Sequence, residues 1–325
     1  MRGYRALFFA AMGAAICGAA AFSQQTGNVR IVDDDGVQRP GALTTIQETV
    51  SKAGQGRTIL VCPGTSHKMA RIAGLEKTGL KLIALGNDDD VVLEGDHTEA
   101  HGILLEDVTN VLVRGFTIRE WGDKRTTATD CGWGCGINLL RAHYNTIEHN
   151  RISKTDMDGI TVDHSGHNVI RYNFITQIDA GGCGIGIRLW GGRGTTENFV
   201  YTNRAALSPL IGIAVCGAGP GNAIVDNNLN DNGLGGIAHW GTQGTLIEGN
   251  RLSHNSGFWG VAPIEGDYRS SRIEIGNSDE VTVVGKMVHN NTRVDILWDK
   301  KGTIVLENNA CGSARQAGLC SRQAN

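Results

Sequence analysis

The sequence predicts an all-β solenoid: short strands wound into stacked coils around a continuous Ile/Val/Leu interior. Three observations predict it. First, one block recurs without a gap, as CGINLLRAHYNTIEHNRI (135–152), DGITVDHSGHNVIRYNFI (158–175) and GGIAHWGTQGTLIEGNRL (235–252). Second, each block holds period-2 apolar runs separated by Gly- or Asn-containing turns, which puts alternate side chains on opposite faces of a strand. Third, the 325 residues contain 46 glycines against five prolines with no Gly-X-Y period, the composition of many tight turns rather than of collagen.

The columns of the repeat follow from that alignment. Gly136, Gly159 and Gly236 coincide, as do Ile137, Ile160 and Ile237. Ile147, Ile170 and Ile247 form another column, Asn150, Asn173 and Asn250 another, and Ile152, Ile175 and Leu252 close the unit. The Gly-Ile start returns at Gly102-Ile103, Gly186-Ile187 and Gly212-Ile213, and as Gly260-Val261; from Ile137 onward the starts are 23, 27, 26, 24 and 24 residues apart. A unit of this length cannot bury its own apolar face, whereas copies stacked about 4.8 Å apart can.

These repeats resemble right-handed parallel β-helix proteins of the pectate-lyase-like class, in particular bacterial carbohydrate-binding and sugar-hydrolysis β-helix repeats. The segment TTIQETVSKAGQGRTILVCPGTSHK (44–68) resembles that class too, with a short helix, a Gly turn and a first strand ending in Pro-Gly-Thr. Ser66 stands where the class usually carries an aromatic. The resemblance spans roughly residues 42–310. It implies a right-handed parallel β-helix of about ten coils by the repeat spacing, and it is specific for fold rather than for reaction.

Taken in chain order, residues 1–23 read as a signal peptide. Arg2 and Arg5 precede an apolar stretch, Ala6–Ile16, and Ala21-Phe22-Ser23 fits a small-x-small cleavage site, so the mature chain is expected to start near Gln24 and to be secreted or periplasmic. The apolar run is too short to span a bilayer, and no later segment would hold the chain in one. Cys17 raises a lipoprotein reading, but Ile16 occupies the place of a small residue. Residues 24–41 form a lead-in, 42–310 one β-helix domain, and 311–325 a tail. Thr45 and Glu48 have capping-box spacing, and Ile46, Val50 and Ala53 share a helical face, so a short amphipathic helix is expected to cover the open N-terminal end of the solenoid. Trp298 and a Cys311–Cys320 loop are candidates for the other end. Residues 119–134 are expected to protrude from one corner.

The net charge of −3, with both signs spread along the chain, gives no basic stripe for nucleic acid. Eight cysteines, seven after the leader, lack paired zinc spacing and read as disulfides or buried thiols; Cys131 and Cys135 flank a Gly-Trp-Gly.

If Ile160 and Val162 point inward, Thr161 and Asp163 point outward. Stacking then gives two outward columns: Leu104, Asn138, Thr161, Arg188, Ala214, Ala238, Ala262, and Glu106, Leu140, Asp163, Trp190, Cys216, Trp240, Ile264. The next turn column runs Asp107, Arg141, His164 and, through glycines, Glu265. Asn138, Arg141, Asp163, His164, Arg188, Trp190 and Trp240 are thus expected on one side. Flat rings beside Arg, Asp and Asn suit the apolar faces and hydroxyl edges of sugars, so one reading is a saccharide groove. The other is that loops fold over this face and make the tryptophans a second small core. Trp121 and Trp133 suit either.

Uronate chemistry requires neutralising the sugar carboxylate and removing the C5 proton. Arg188 or Arg141 could bind the carboxylate. His164 could accept the proton, imidazole being the side chain that titrates near neutrality. Asp163 could orient His164, hold Arg188, or help bind Ca²⁺ with Asp158 and Asp156. Elimination gives a lyase; reprotonation from the other face gives a C5-epimerase. The plainer alternatives are a structural Asp163–Arg188 pair and a His164 that merely faces water. A hydrolase would need two carboxylates about 5–9.5 Å apart, for which Asp163 with Asp158 or Asp179 are available. A non-catalytic module would bind glycan or a cell-wall partner through the tryptophans alone.

Other repeated polar residues read as structural. His239 falls in an inward column and is expected to be a hydrogen-bonded core residue. Asn150, Asn173 and Asn250, joined by Asn203 and Asn228, suit a left-handed turn and a stacked hydrogen-bonded ladder. The runs Asp33–Asp35 and Asp88–Asp90 read as solvated turns. Five scattered methionines do not support a copper site.

Overall fold

The computed structural model describes residues 27–122, 134–179, 184–255, 271–285, 287–289, 294–298, 301–307, 309–311 and 322–323. The leader, Cys131, Trp133, the Gly260–Glu265 stretch and Cys320 lie outside the described residues, as do the side chains of Trp298 and Cys311.

Three parallel sheets run the length of the chain, one of nine strands and two of eleven. Each coil contributes a long strand to sheet 1, such as Cys135–Leu140, then short strands to sheet 2 (Thr146–Glu148) and sheet 3 (Arg151–Ser153), before the next coil re-enters sheet 1 at Asp158–Asp163. Nine coils among the described residues carry all three strands. In-register stacking puts Ile137, Ile160, Ile187, Ile213 and Ile237 in one column, all closed to solvent. The interior is one continuous apolar cluster from Val32 to Val283.

One register expectation is corrected. The strand beside Gly235–Trp240 is Ser271–Gly276, with Ile273 opposite Ile237. The place expected for Gly260-Val261 beside this strand is taken by Ser271–Gly276, and Glu274 and Gly276 align with Ala238 and Trp240 in the outward columns. Ile273 and Ile275 supply the inward period-2 pair, so a strand without a Gly-Ile start takes the place.

The glycine of the Gly-Ile pair is a packing device. A Cβ on Gly159 would lie 2.5 Å from Ile175 Cγ2 and 2.6 Å from the carbonyl oxygen of Gly186 in the next coil. At this corner the interior side chain of sheet 3 fills the space that a side chain would need. The ladder pairing also skips this residue: Cys135 aligns with Asp158 and Ile137 with Ile160. Strict alternation fails there, and the residue before the glycine shares the outward face with the residue two after it; Cys135 Sγ lies 3.2 Å from Thr161 Oγ1.

The corners differ in length. Between sheets 2 and 3 two residues suffice in eight successive coils, from Arg114–Thr117 to Glu307–Ala310. Between sheets 3 and 1 the connection ranges from three residues (Ser66 to Ala70) to seventeen (Ser253 to Ser271).

Two asparagine ladders hold the corners of the middle coils. Between sheets 2 and 3, each Nδ2 donates to the next Oδ1 from Asn150 through Asn173, Asn203 and Asn227 to Asn250, at 2.9–3.1 Å. The same amides bond the backbone, as in Asn173 Nδ2 to Ile147 O at 2.9 Å. The member of the column is Asn227, not Asn228, which begins a sheet 3 strand. The left-handed residue is the one before each asparagine, namely His149, Tyr172, Thr202, Asp226 and Gly249. The asparagines act through their buried side chains rather than through unusual backbone. A second ladder, Asn145–Asn168–Asn198–Asn222, bridges the corner between sheets 1 and 2.

The N-terminal end is covered as the sequence implies. The helix Ile46–Lys52 starts at Thr45, whose Oγ1 accepts the Glu48 N–H at 3.1 Å, and it buries Ile46, Thr49 and Val50. It lies against the edge strand of sheet 1, Ala70–Ala73. There Gln47 Oε1 accepts the Arg71 N–H at 2.7 Å and Gln47 Nε2 donates to Arg71 O at 3.3 Å, so one side-chain amide substitutes for a missing strand.

His239 is a core residue: Nδ1 lies 3.0 Å from Ser278 Oγ and Nε2 2.7 Å from Thr242 Oγ1. Trp121 is interior as well, its Nε1 donating to Leu93 O at 2.9 Å. Asp33 is buried rather than solvated and accepts the Arg39 N–H. Cys135 is a free thiol, so it does not pair with Cys131, and Cys62 is disulfide-bonded. Among the described residues, no helix is long and apolar enough to cross a membrane.

Candidate functional site

Sheet 1 carries the chemistry on its outward face. The strands Cys135–Leu140, Asp158–Asp163, Ile185–Trp190, Ile211–Cys216 and Gly235–Trp240 stack in the expected register: Asn138, Thr161, Arg188, Ala214 and Ala238 align, and so do Leu140, Asp163, Trp190, Cys216 and Trp240. The two columns have different environments.

The first column is buried. Arg188 Nε lies 2.8 Å from Asp158 Oδ2, with side-chain exposures of 3% and 0%. Thr161 Oγ1 donates to the same carboxylate oxygen at 2.9 Å, and the Ile185 N–H reaches Oδ1 at 3.3 Å. Asn138 Nδ2 lies 3.3 Å from His101 Nε2. Burial dominates the protonation of this layer. It pushes the Cys135 thiol up to about 12, with the Asp158 charge adding to the effect, and His101 down to about 4. Burial also raises the Asp158 carboxyl, opposed by Arg188 and then Thr161.

The second column reaches solvent. His164 Nδ1 lies 2.6 Å from Asp163 Oδ1. The two residues end the strand, with His164 in left-handed backbone at φ 47°. Gly191, after Trp190 in the next coil, gives the imidazole room: a Cβ there would lie 2.7 Å from His164 Nδ1. Trp190, in register with Asp163, is 43% exposed, and the Arg188 guanidinium lies 5.6 Å from its ring. Trp240 is half-buried and packs with Ile185, Ile211, Ala214 and Ala238 in a small second core. Trp190 and Trp240 thus separate into an exposed platform and a packing residue. Beside this column an open trough of about 840 Å³ runs over the corner between sheets 1 and 2, lined among others by Gly192, Arg193, Gly217, Gly241, Asp279 and Lys301.

Several expected groupings do not form. Arg188 pairs with Asp158 and not with Asp163. Arg141 is committed to a neighbouring coil, its Nε and Nη2 lying 2.7 and 2.8 Å from the Asp107 carboxylate and Nη2 3.0 Å from Glu106; this pairing holds the Asp107 carboxyl below its ordinary range. Asp156 and Asp158 engage different partners. Asp156 Oδ1 lies 2.7 Å from His97 Nδ1, near Asp179 at the corner between sheets 3 and 1, whereas Asp158 faces Arg188. Asn138 is buried. His101, Cys135 and Asp158 belong to the outward face although strict alternation from Ile137 and Ile160 points them inward; the skipped glycine is the signal that places them.

The coil geometry is shared with known proteins. Solved structures with this architecture include an alginate lyase from Paenibacillus sp. str. FPU-7, with TM-score 0.62 and 16% identity over 86% of this chain and 95% of that one. The chain is a right-handed parallel β-helix. The pectate lyase Pel9A superposes on this β-helix with TM-score 0.57 and 14% identity, over 91% of the chain and 74% of the lyase. A rhamnogalacturonan lyase gives 0.60 and 14%, over 87% and 74%. The family model described as periplasmic copper-binding protein (NosD) matches residues 77–232 of the β-helix. No curated protein sequence matches it.

Proposed function

We propose that this β-helix is an exported enzyme acting on an acidic polysaccharide, as a lyase or C5-epimerase. The observation that carries the reading is the Asp163–His164 pair beside the exposed Trp190 ring. With Nδ1–H donated to Asp163, His164 keeps Nε2 as the basic nitrogen, and the carboxylate stabilises the imidazolium that forms on proton abstraction. Trp190 offers a flat face to a sugar ring one coil away. Arg188 supports that ring from below. A substrate carboxylate could reach Arg188 only by displacing Asp158, so the exposed Arg193, on the turn after Trp190, takes the role of neutralising the uronate. Architectural likeness to alginate, pectate and rhamnogalacturonan lyases agrees with this substrate class, and the leader with export. Ca²⁺ enters this proposal as a substrate-bridging ion, and not at Asp156 and Asp158, which face His97 and Arg188 respectively. Hydrolysis is disfavoured because Asp158 is committed to Arg188 and Asp179 lies at the opposite end of the sheet 1 strands. A non-catalytic glycan-binding role is the second reading, favoured by the burial of Arg188.

The test is an elimination assay on purified mature protein with pectate, alginate and glycosaminoglycans, with and without Ca²⁺, reading the ultraviolet absorbance of the unsaturated product and, in parallel, uronate configuration. Product formation lost in His164→Ala supports the enzyme. Unchanged glycans across the panel, with binding retained, would establish the binding-module reading.

A further inference from the structure

The corner between sheets 3 and 1 carries a second cluster that the proposed reaction does not use. Sheet 3 aligns Glu94 with Arg119, Arg119 with Ser153, and Ser153 with Thr176. Three residues beyond each of these lie His97, Gly122, Asp156 and Asp179, one turn position in four successive coils. A ring nitrogen of His97 and one carboxylate oxygen from each aspartate all lie within 4.8 Å of one another. Backbone bonds fix the three residues: the His97 N–H donates to Glu120 O, the Asp156 N–H to Trp121 O and the Asp179 N–H to Thr155 O, at 3.2, 2.9 and 2.8 Å.

His97 and Asp156 belong to coils two strand spacings apart, about 9.6 Å along the stack, yet His97 Nδ1 lies 2.7 Å from Asp156 Oδ1. Gly122 makes the contact possible. It occupies the coil between them at φ 136°, and a Cβ there would lie 2.5 Å from Asp156 Cβ and 2.6 Å from Oδ2. The carboxylate crosses the space of the side chain that glycine lacks. The approach lacks hydrogen-bond geometry, although Nδ1 is shut off from solvent and the Asp156 side chain is only 4% exposed. His97, its Nδ1 without a hydrogen-bond partner, and the two carboxylates supply the donor types that hold a metal cation.

We propose that His97, Asp156 and Asp179 bind a divalent transition-metal ion through one imidazole and two carboxylates, with at least one coordination position left to water. Calcium takes six to eight oxygens, whereas an imidazole among few ligands suits zinc and its neighbours. Tetrahedral zinc bonds of about 2.0–2.2 Å place donors about 3.3–3.6 Å apart, so a pair at the 4.8 Å limit closes by about 1.3 Å while the 2.7 Å His97–Asp156 pair opens by about 0.7 Å. Asp179, exposed on the corner, can supply the closing movement. The ion would tie three coils together at the corner where the chain connections are longest.

The test uses full-length mature protein, purified without metal-affinity chromatography, stripped with EDTA and dialysed against Zn²⁺ or Ca²⁺. Metal content and the thermal midpoint are read together. The expected result is one equivalent of Zn²⁺, a raised midpoint, and affinity weakened more than about tenfold in His97→Ala, Asp179→Asn and Gly122→Ala. His164→Ala should keep its zinc, which separates this site from the catalytic reading. Asp179→Asn, at an exposed position, keeps the test decisive if Gly122→Ala does not fold. No zinc on folded wild-type protein, zinc unchanged in Asp179→Asn, or a preference for Ca²⁺ would overturn the proposal.

Discussion

Arg188 Nε sits 2.8 Å from Asp158 Oδ2 across neighbouring strands of sheet 1, with neither side chain open to solvent. Removing one partner leaves a buried charge without its counter-charge, which typically costs about 3–5 kcal/mol, whereas replacing both by apolar residues of similar volume is often neutral. Arg188→Ala should therefore lower the unfolding free energy by about 3–5 kcal/mol, and Asp158→Leu/Arg188→Met should recover most of it. Urea denaturation of the three proteins checks this; equal losses in the single and double variants would show that the pair is not a coupled unit.

His101 gives a pH signature. Burial lowers its folded pKa from 6.5 to about 4. The unfolded chain therefore binds more protons between those values, and stability falls as pH drops from 6.5 toward 4. The contribution present above pH 6.5 is about 3 kcal/mol at most. His101→Gln, which can keep a bond to Asn138, should flatten the profile in that window. The measurement is unfolding free energy against pH for both proteins, with the difference between the curves isolating this residue.

Asn173 is an interior rung of its ladder. Its Oδ1 accepts from the Asn150 amide and backbone N–H, and its Nδ2 serves Ile147 O and Asn203 Oδ1. Truncation leaves several buried groups without partners, each worth about 1–3 kcal/mol. Asn173→Ala should lose about 2–4 kcal/mol overall. Amide hydrogen exchange should also speed up at Asn150, whose N–H donates to the lost oxygen. A protein as stable as wild type, with unchanged exchange, would refute a stabilising role for the ladder.

The two outward tryptophans should separate experimentally. Trp190→Ala is expected to weaken acidic-glycan binding by about tenfold or more while leaving thermal stability nearly unchanged. Trp240→Ala should do the reverse, since its side chain packs against the small second core that includes Ala214 and Ala238. Calorimetric titration with the preferred oligosaccharide and a thermal melt of each variant distinguish the two.

Much of this fold is legible in the sequence because a stacked coil repeats its chemistry. Ile137, Ile160 and Ile237 announce the interior, and Thr45 with Glu48 announces the cap. Register within the middle coils follows from counting. The count fails at Gly260-Val261 because the interior needs an apolar pair rather than a Gly-Ile start, and Ile273 with Ile275 meets that need. The site is less legible. Alternation places Asp163 and Trp190 outward correctly, but which outward residues meet water depends on burial that no periodicity encodes. Arg188 looks the same in sequence whether it faces a substrate or Asp158. The His97–Asp156–Asp179 cluster is invisible to residue spacing because its members are joined by stacking and by the missing side chain of Gly122.

The two-residue corner between sheets 2 and 3 has an evolutionary consequence. Eight coils keep that length while the corner between sheets 3 and 1 stretches to seventeen residues. The constant corner behaves as a spine, and the variable one as the place where new sequence is accepted. Inheritance along such a chain is modular: a whole coil, such as residues 141–163, can be duplicated or lost without disturbing the phase of its neighbours. Novelty then enters at one edge, next to the starts of the sheet 1 strands, while the opposite edge keeps the archive of the original repeat.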